Sequence, residues 1–118
     1  MHVGEAGVHL ERFLPAPEAA RDRRPVVLVH GGSANASWWA PMVAALMTER
    51  PVGTVDLSGH GRSDWRSSYS FDTWVEEVTA AAEYLFPERR GACRPLPWRR
   101  PRVRRRWDWP PSSDSHPP

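Results

Sequence analysis

One segment constrains the fold of this chain more than any other: a strand-forming run that ends in two glycines. The run Val26-Val27-Leu28-Val29 is continuous, apolar and mostly β-branched, and His30 separates it from the pair Gly31-Gly32. A run of this kind is typical of a strand that is covered on both faces, as in a parallel sheet. The sequence therefore predicts a strand that is buried on both faces and belongs to a parallel sheet.

Strands and helices are predicted on both sides of this run. Strands are expected near residues 2–4, 7–13, 26–30 and 52–57, and helices near 38–49 and 71–86. The strand–helix–strand succession implies a parallel pair of strands with helices covering the sheet, and hence an α/β fold.

The helix ends and helix faces are also predicted from the sequence. Ser37 is expected to cap the first helix, with Pro41 in its first turn, and Thr73 with Glu76 has the spacing of a capping box in the second. In the second helix, apolar residues three and four apart predict a buried stripe, and Glu77 is placed on the opposite, solvent-facing side. Trp38, Trp39 and Trp74 are expected to pack in the core.

The composition changes sharply near Pro87. Residues 87–118 hold 9 Arg against 3 acidic residues, a net charge of +6, whereas residues 1–86 hold 7 Arg against 11 acidic residues, a net charge of −4. The second part also contains 8 of the 13 Pro, and proline continues neither a helix nor a central strand. We therefore expect one ordered domain over 1–86 and a disordered Arg/Pro/Trp-rich tail over 87–118.

Length and residue types exclude several classes of protein. The 118 residues allow one domain at most, and the single Cys93 excludes a disulfide framework and a multi-Cys zinc site. No apolar run reaches the roughly 18 residues of a membrane helix, and the N-terminus lacks the pattern of a secretory signal. His30, Asp56 and His60 match no familiar set of metal ligands. The expectation is a cytoplasmic protein without metal or cofactor.

Two motifs carry the chemical information. The first is His30-Gly31-Gly32-Ser33, and the second runs from Asp56 through Gly59-His60-Gly61 to Ser63. In this order and spacing they resemble the N-terminal third of the α/β-hydrolase superfamily, in which a strand ending in His-Gly-x leads into the oxyanion loop and the next strand ends in Asp-x-x-Gly-x-Gly-x-Ser. The resemblance covers residues 1–86 and implies about four strands and two helices of the hydrolase sheet.

The resemblance also implies roles for these residues. Gly32, with Ser33 as the neighbouring alternative, would donate an amide to the oxyanion that forms during acyl transfer. Gly31 would let the backbone bend toward the substrate, and His30 would order the loop without acting as the base. The segment from Asp56 to Ser63 would form a supporting turn, with His60 as a turn residue between Gly59 and Gly61. The implied substrate is a small molecule with an ester, amide, epoxide or similar bond.

The nucleophile of this family is not found in the sequence. It lies in a Gly-x-Ser-x-Gly elbow, followed by an acid and a histidine. Ser33 comes nearest, but Asn35 stands where the last glycine is required. We therefore expect a truncated, catalytically incomplete member of the family. Its strand at 26–30 would lack a neighbour and form an exposed edge, which favours self-association.

The tail leaves two interpretations open. Arginines interleaved with Trp98, Trp107 and Trp109 could bind nucleic acid or an anionic membrane surface. Alternatively, the tail is an out-of-frame product, because frameshifted GC-rich genes encode Arg, Pro, Trp and Ser in abundance and this chain contains no Lys. The out-of-frame interpretation is preferred, since the change of composition falls where the family pattern stops.

Overall fold

The computed structural model describes residues 1–18 and 23–90. In these residues the chain forms five short strands, two α-helices and two 3₁₀ turns, which confirms the predicted α/β class with one strand more than the approximate number expected. The strands are β1 (His2–Val3), β2 (Ala6–Gly7), β3 (His9–Phe13), β4 (Val26–Val29) and β5 (Val52–Asp56), the helices are α1 (Ala40–Leu46) and α2 (Phe71–Leu85), and the 3₁₀ turns are Ala36–Trp39 and Pro87–Arg89. The tail predicted to be disordered, or to bind nucleic acid or a membrane surface, spans residues 87–118. All of it except residues 87–90 lies outside the described residues.

Three of the strands form the main sheet in the order β3-β5-β4. β5 pairs in parallel with β4, with Val26 opposite Val52, and antiparallel with β3, with His9 opposite Asp56. The two N-terminal strands β1 and β2 form a separate antiparallel hairpin. The predicted parallel pair joined by a helix is therefore confirmed.

The most deeply buried strand is β5, not β4. Every residue of β5 is buried, whereas all four residues of β4 are half-buried. The expectation that both faces of the run at 26–29 are buried was wrong in the described part of the chain, whereas its expected position at an edge of the sheet is observed there. β5 lies between two strands, whereas β4 has a neighbouring strand on one side only, and its outer side therefore stays accessible.

The helix α1 begins differently from the prediction. Asn35, and not Ser37, caps this region: its side chain accepts a hydrogen bond of 3.0 Å from the Ser37 amide. The residues expected to form the first helical turn form the 3₁₀ turn instead, and α1 ends at Leu46 rather than near Arg50. Pro41 lies in the first turn of α1, as predicted.

The helix α2 is capped by Ser70, whose hydroxyl accepts a hydrogen bond of 3.1 Å from the Thr73 amide. The capping box predicted at Thr73 and Glu76 was therefore one turn too late. Only the second half of the apolar stripe reaches the core, because Phe71 and Val75 are 82% and 62% exposed. The core placement of the tryptophans was wrong for Trp38, which is 71% exposed, while Trp39 and Trp74 are half-buried.

A buried ion pair ties α2 to the loop after β5. Glu77 is 0% exposed, and its carboxylate lies 2.8 Å from Nη2 of Arg66, whose side chain is 6% exposed. Glu77 also accepts a hydrogen bond of 2.9 Å from the Ser58 amide, and Arg66 donates one of 2.7 Å to the Val3 carbonyl. The solvent-facing position predicted for Glu77 was wrong, because this carboxylate balances a buried guanidinium.

Among the described residues, neither α-helix has the length and apolar character that a membrane-spanning helix requires.

Candidate oxyanion site

The two sequence motifs meet at one edge of the sheet. His30 follows the last residue of β4, and Asp56 is the last residue of β5. Because β4 and β5 are parallel, their carboxyl ends lie side by side, and the loops that follow them come into contact. This is the position at which open α/β sheets bind their ligands.

The first loop leaves its backbone open. Gly31, Gly32 and Ser33 are exposed, and a Cβ added at either glycine would meet no atom within 4 Å. The residue in the left-handed backbone region is Ser33, with φ of 61°, and neither glycine has a positive φ. The glycines therefore provide room for a bound group, and the sharp turn itself occurs one residue later than the sequence indicates.

His30 connects the two loops. The Leu57 amide donates a hydrogen bond of 3.0 Å to Nε2 of His30, so this nitrogen carries no proton. Nδ1 then carries the proton and donates it to the Gly31 carbonyl at 2.8 Å. Both ring nitrogens are occupied in holding backbone groups, and the ring is buried. This geometry fits a residue that orders the loop and leaves no free nitrogen to act as a base.

The carboxylate of Asp56 connects the loop after β4 to the loop after β5 by hydrogen bonds to their backbone amides. Its Oδ1 accepts a hydrogen bond of 2.6 Å from the Ala36 amide, and its Oδ2 accepts one of 3.2 Å from the Arg62 amide. Gly61 passes directly over this carboxylate with φ of 52°. The hydroxyl of Ser63 donates to the Asp56 carbonyl and accepts from the His9 amide at 2.8 Å. The turn therefore joins β3, β5 and the loop after β4.

The remaining two turn residues are also placed by local geometry. Gly59 has φ of 80°, and an added Cβ there would lie 2.6 Å from the Tyr69 hydroxyl. Nδ1 of His60 lies 3.1 Å from the Ser58 carbonyl, and its ring centroid is 4.9 Å from that of His30. The backbone angles expected for Gly59 and Gly61 are thus observed, whereas the functional roles of all these residues stay predictions.

A cavity of about 410 Å³ opens beside the first loop. Apolar side chains form most of its walls, and the described residues that line it include Val29, Gly32, Leu57, His60, Trp74 and Val78. The single hydroxyl among the described lining residues is that of Thr79, and it donates to the Val75 carbonyl at 2.9 Å. In residues 1–18 and 23–90 no three metal-ligating side chains come together.

Sequence reasoning missed the residues that brace the second loop: Ser58, Arg66 and Glu77. The hydroxyl of Ser58 is fully buried and accepts a hydrogen bond of 2.9 Å from Nε of Arg66. One signal could have revealed Glu77, because it lies three residues after Trp74 and four before Ala81, on the buried stripe of α2. A carboxylate on such a stripe requires a buried partner.

Comparisons with known proteins agree with this geometry. Over 57 residues the chain is 44% identical to the pimeloyl-[acyl-carrier protein] methyl ester esterase of Aliivibrio salmonicida, an alignment that covers 48% of this chain and 22% of the esterase. Over 56 residues it is 36% identical to esterase Rv0045c of Mycobacterium tuberculosis, covering 48% of this chain and 18% of that protein. An α/β-hydrolase from Sphaerobacter thermophilus superposes on 68% of the chain with a TM-score of 0.59 and 24% identity.

The chain has partial homology to α/β-hydrolases, over about half to two-thirds of its length. No family model matches it. The chain spans about a fifth of the length of these two esterases and 28% of the Sphaerobacter hydrolase. The predicted resemblance is confirmed as partial homology to proteins named as esterases. The superfamily predicted from the two motifs is therefore correct.

Proposed function

We propose that this partial α/β-hydrolase supplies the oxyanion-binding side of an active site that hydrolyses esters of small molecules. The observation that carries the proposal is the open backbone at Gly32, which follows a parallel strand at the ligand-binding edge of the sheet. No described residue accepts a hydrogen bond from its amide. Such an amide can stabilise the charge that develops on a carbonyl oxygen during acyl transfer.

The surrounding residues suit this role because they fix the loop before any substrate binds. His30 holds the Gly31 carbonyl, and Asp56 holds the Ala36 amide at the far end of the loop. An oxyanion donor is effective only if it already points at the reacting oxygen, and one such donor contributes about 2.7–4 kcal/mol to catalysis. His30 and Asp56 are therefore positioning residues, and Gly32, with Ser33 beside it, supplies the donor.

Ester hydrolysis is favoured among the bond types open to this superfamily. Two relatives that match about half of the chain are named as esterases. The apolar cavity beside the loop provides space for the carbon chain of an ester. The substrate itself stays unnamed in this proposal, because the lining residues described here have no charged group that would select a particular acid or alcohol.

The 118-residue chain is proposed to be inactive by itself, since its sequence has no Gly-x-Ser-x-Gly elbow. Incubation with p-nitrophenyl butyrate and with a fluorophosphonate probe tests this. We expect no hydrolysis above the buffer rate and no labelled serine. Stoichiometric labelling of one serine would show that the chain carries its own nucleophile.

A chimera tests the oxyanion role. The 57 matching residues of the Aliivibrio salmonicida esterase are replaced by those of this chain, so that the esterase contributes its own nucleophile. We expect the chimera to hydrolyse a methyl ester. The same chimera with Asp56→Asn is expected to be slower, because a neutral amide cannot accept from both Ala36 and Arg62 as the carboxylate does. A folded chimera without activity would refute the proposal.

A further inference from the structure

The side chain of His60 connects the loop after β4 to helix α2. Its ring centroid lies 4.9 Å from that of His30, with an interplanar angle of 54°. It also lies 6.1 Å from the ring centroid of Trp74 in α2, in an edge-to-face arrangement. These distances are typical of aromatic rings in contact. A residue that only completes a turn needs no such contacts, so the ring of His60 has a further role.

A hydrogen bond fixes the orientation of the His60 ring. Its Nδ1 lies 3.1 Å from the Ser58 carbonyl, and because a carbonyl oxygen only accepts, Nδ1 carries the proton and donates it. The buried ion pair holds Ser58 in turn. The Ser58 amide donates to Glu77 at 2.9 Å, and the Ser58 hydroxyl accepts from Arg66 at 2.9 Å. The ring of His60 is therefore attached to a backbone group that is itself held in place.

His30 orders the oxyanion loop only in one orientation of its ring. Its Nε2 accepts from the Leu57 amide while its Nδ1 donates to the Gly31 carbonyl, and a half-turn of the ring would replace both nitrogens by carbons. The Gly31 carbonyl and the Gly32 amide belong to the same planar peptide unit. The His30 bond to that carbonyl therefore also sets the direction in which the Gly32 amide points.

We propose that His60 is a positioning residue whose ring holds His30 in the orientation that directs the Gly32 amide toward the substrate oxygen. The inference rests on the proposed oxyanion role of Gly32 and adds a residue that affects it through His30. His60 does not have to touch the substrate. Its hydrogen bond to Ser58 fixes its own ring, and the face of that ring restricts the rotation of His30.

Two variants separate this role from that of a turn residue. His60→Asn keeps a donor for the Ser58 carbonyl, because Nδ2 of asparagine is as many bonds from the backbone as Nδ1 of histidine, and it removes the rest of the ring. His60→Phe keeps a ring beside His30 and loses the donor. If His60 only supports the turn, asparagine is the better replacement. If its ring positions His30, phenylalanine is.

The ring nitrogens of His30 provide a measurement in the full chain that needs no catalysis. NMR spectra that correlate ring protons with ring nitrogens, recorded above neutral pH, should show the proton of wild-type His30 on Nδ1. We expect His60→Phe to retain this signal and His60→Asn to speed the solvent exchange of that proton by up to about tenfold, the contribution of one aromatic contact. A wild-type proton on Nε2 of His30, an unchanged signal in both variants, or a faster exchange in the phenylalanine variant alone would overturn the proposal.

The esterase chimera shows whether the effect reaches the oxyanion site. His60→Asn should lower kcat about tenfold and leave KM unchanged, because a misdirected oxyanion donor weakens binding of the transition state only. His60→Phe should recover most of this loss. In a chimera that already carries His30→Asn, His60→Asn should cause no further loss, since both changes affect the same contact. Additive losses, or a change in KM alone, would overturn the proposal.

The two measurements also distinguish this inference from the function on which it rests. A folded parent chimera without activity refutes the proposed function, and the spectra of the full chain then still decide whether the ring of His60 holds His30. An active chimera in which the His60 variants behave like the parent refutes the positioning role and leaves the proposed function intact.

Discussion

Replacing the buried carboxylate of Glu77 tests how much its ion pair with Arg66 contributes to the free energy of unfolding. Glu77 is 0% exposed and accepts hydrogen bonds from the Ser58 amide and from Nε and Nη2 of Arg66. Glu77→Gln keeps the size of the side chain but leaves the Arg66 guanidinium buried without a counter-charge. Breaking a buried ion pair in this way costs about 3–5 kcal/mol.

This loss is large compared with the stability of so small a domain. At about 0.05–0.15 kcal/mol per residue, residues 1–86 are expected to be stable by roughly 4–13 kcal/mol in total. With a urea m-value of about 1 kcal/mol/M, the variant should lose some 3–5 M of its unfolding midpoint or be unfolded without urea. Tryptophan fluorescence and circular dichroism in urea measure this shift.

Two further variants make the result decisive. Glu76→Gln removes the neighbouring exposed carboxylate and should change the free energy of unfolding by less than about 0.5 kcal/mol. The double variant Arg66→Met with Glu77→Leu removes both charges and should recover most of the loss, since apolar replacement of a buried pair is often neutral or stabilising. A loss below about 1 kcal/mol for Glu77→Gln would refute the buried pair.

Three other predictions concern the turn, the pH and the gene. Gly61→Ala should destabilise the fold by about 2 kcal/mol or more in urea unfolding, because φ is positive there and the new Cβ would collide with the Asp56 carboxylate, whereas Gly31→Ala, in open space, should change little. Hydrogen bonds from the Ser67 amide and hydroxyl, together with Arg66, lower the pKa of Glu5. Because the pKa of Glu5 is lowered in the folded protein, its carboxylate stabilises the fold above the ordinary glutamate pKa, and this stability is lost as the pH falls through the folded pKa. Glu5→Gln should therefore lower thermal stability at neutral pH and have no effect at the acidic end. Downstream of codon 86, another reading frame of the gene should encode a strand followed by Gly-x-Ser-x-Gly, and its absence from both other frames would exclude the out-of-frame interpretation of the tail.

The parallel pair of strands and both helices could be predicted because local patterns determine them. The β-branched run of β4 and the 3.6-residue spacing of α2 are properties of consecutive residues. The caps were predicted at the wrong residues because several suitable side chains occur close together: Asn35 precedes Ser37, and Ser70 precedes Thr73. Which of these side chains reaches the free N–H groups at the start of a helix depends on the three-dimensional path of the chain.

Burial was the property that the sequence predicted least well. The apolar residues Phe71 and Trp38 were assigned to the core, but few described residues lie over them and both stay exposed. Glu77 was assigned to solvent because its partner Arg66 is eleven residues away, in a loop that has no periodic pattern to reveal the pair. Pairings of this kind depend on tertiary structure, which a single sequence does not show.

The candidate site was largely predictable, since its residues follow directly from two strand ends. The two motifs meet as expected, and Gly59 and Gly61 have the positive φ angles that the turn requires. The positions of the Asp56 hydrogen bonds were not predictable, because the Ala36 amide belongs to a different loop. The sequence identifies the residues of the turn, and the fold decides which backbone groups they hold.

The rate of the esterase chimera with a proline or an alanine at Gly32 tests the central claim most directly. Gly32→Pro removes the proposed oxyanion donor, whereas Gly32→Ala keeps the amide and places its Cβ in open space. We predict that the proline variant loses about 10²–10³-fold in kcat and that the alanine variant stays within about tenfold of the parent chimera. Equal rates for the two folded variants would show that the Gly32 amide does not bind the oxyanion.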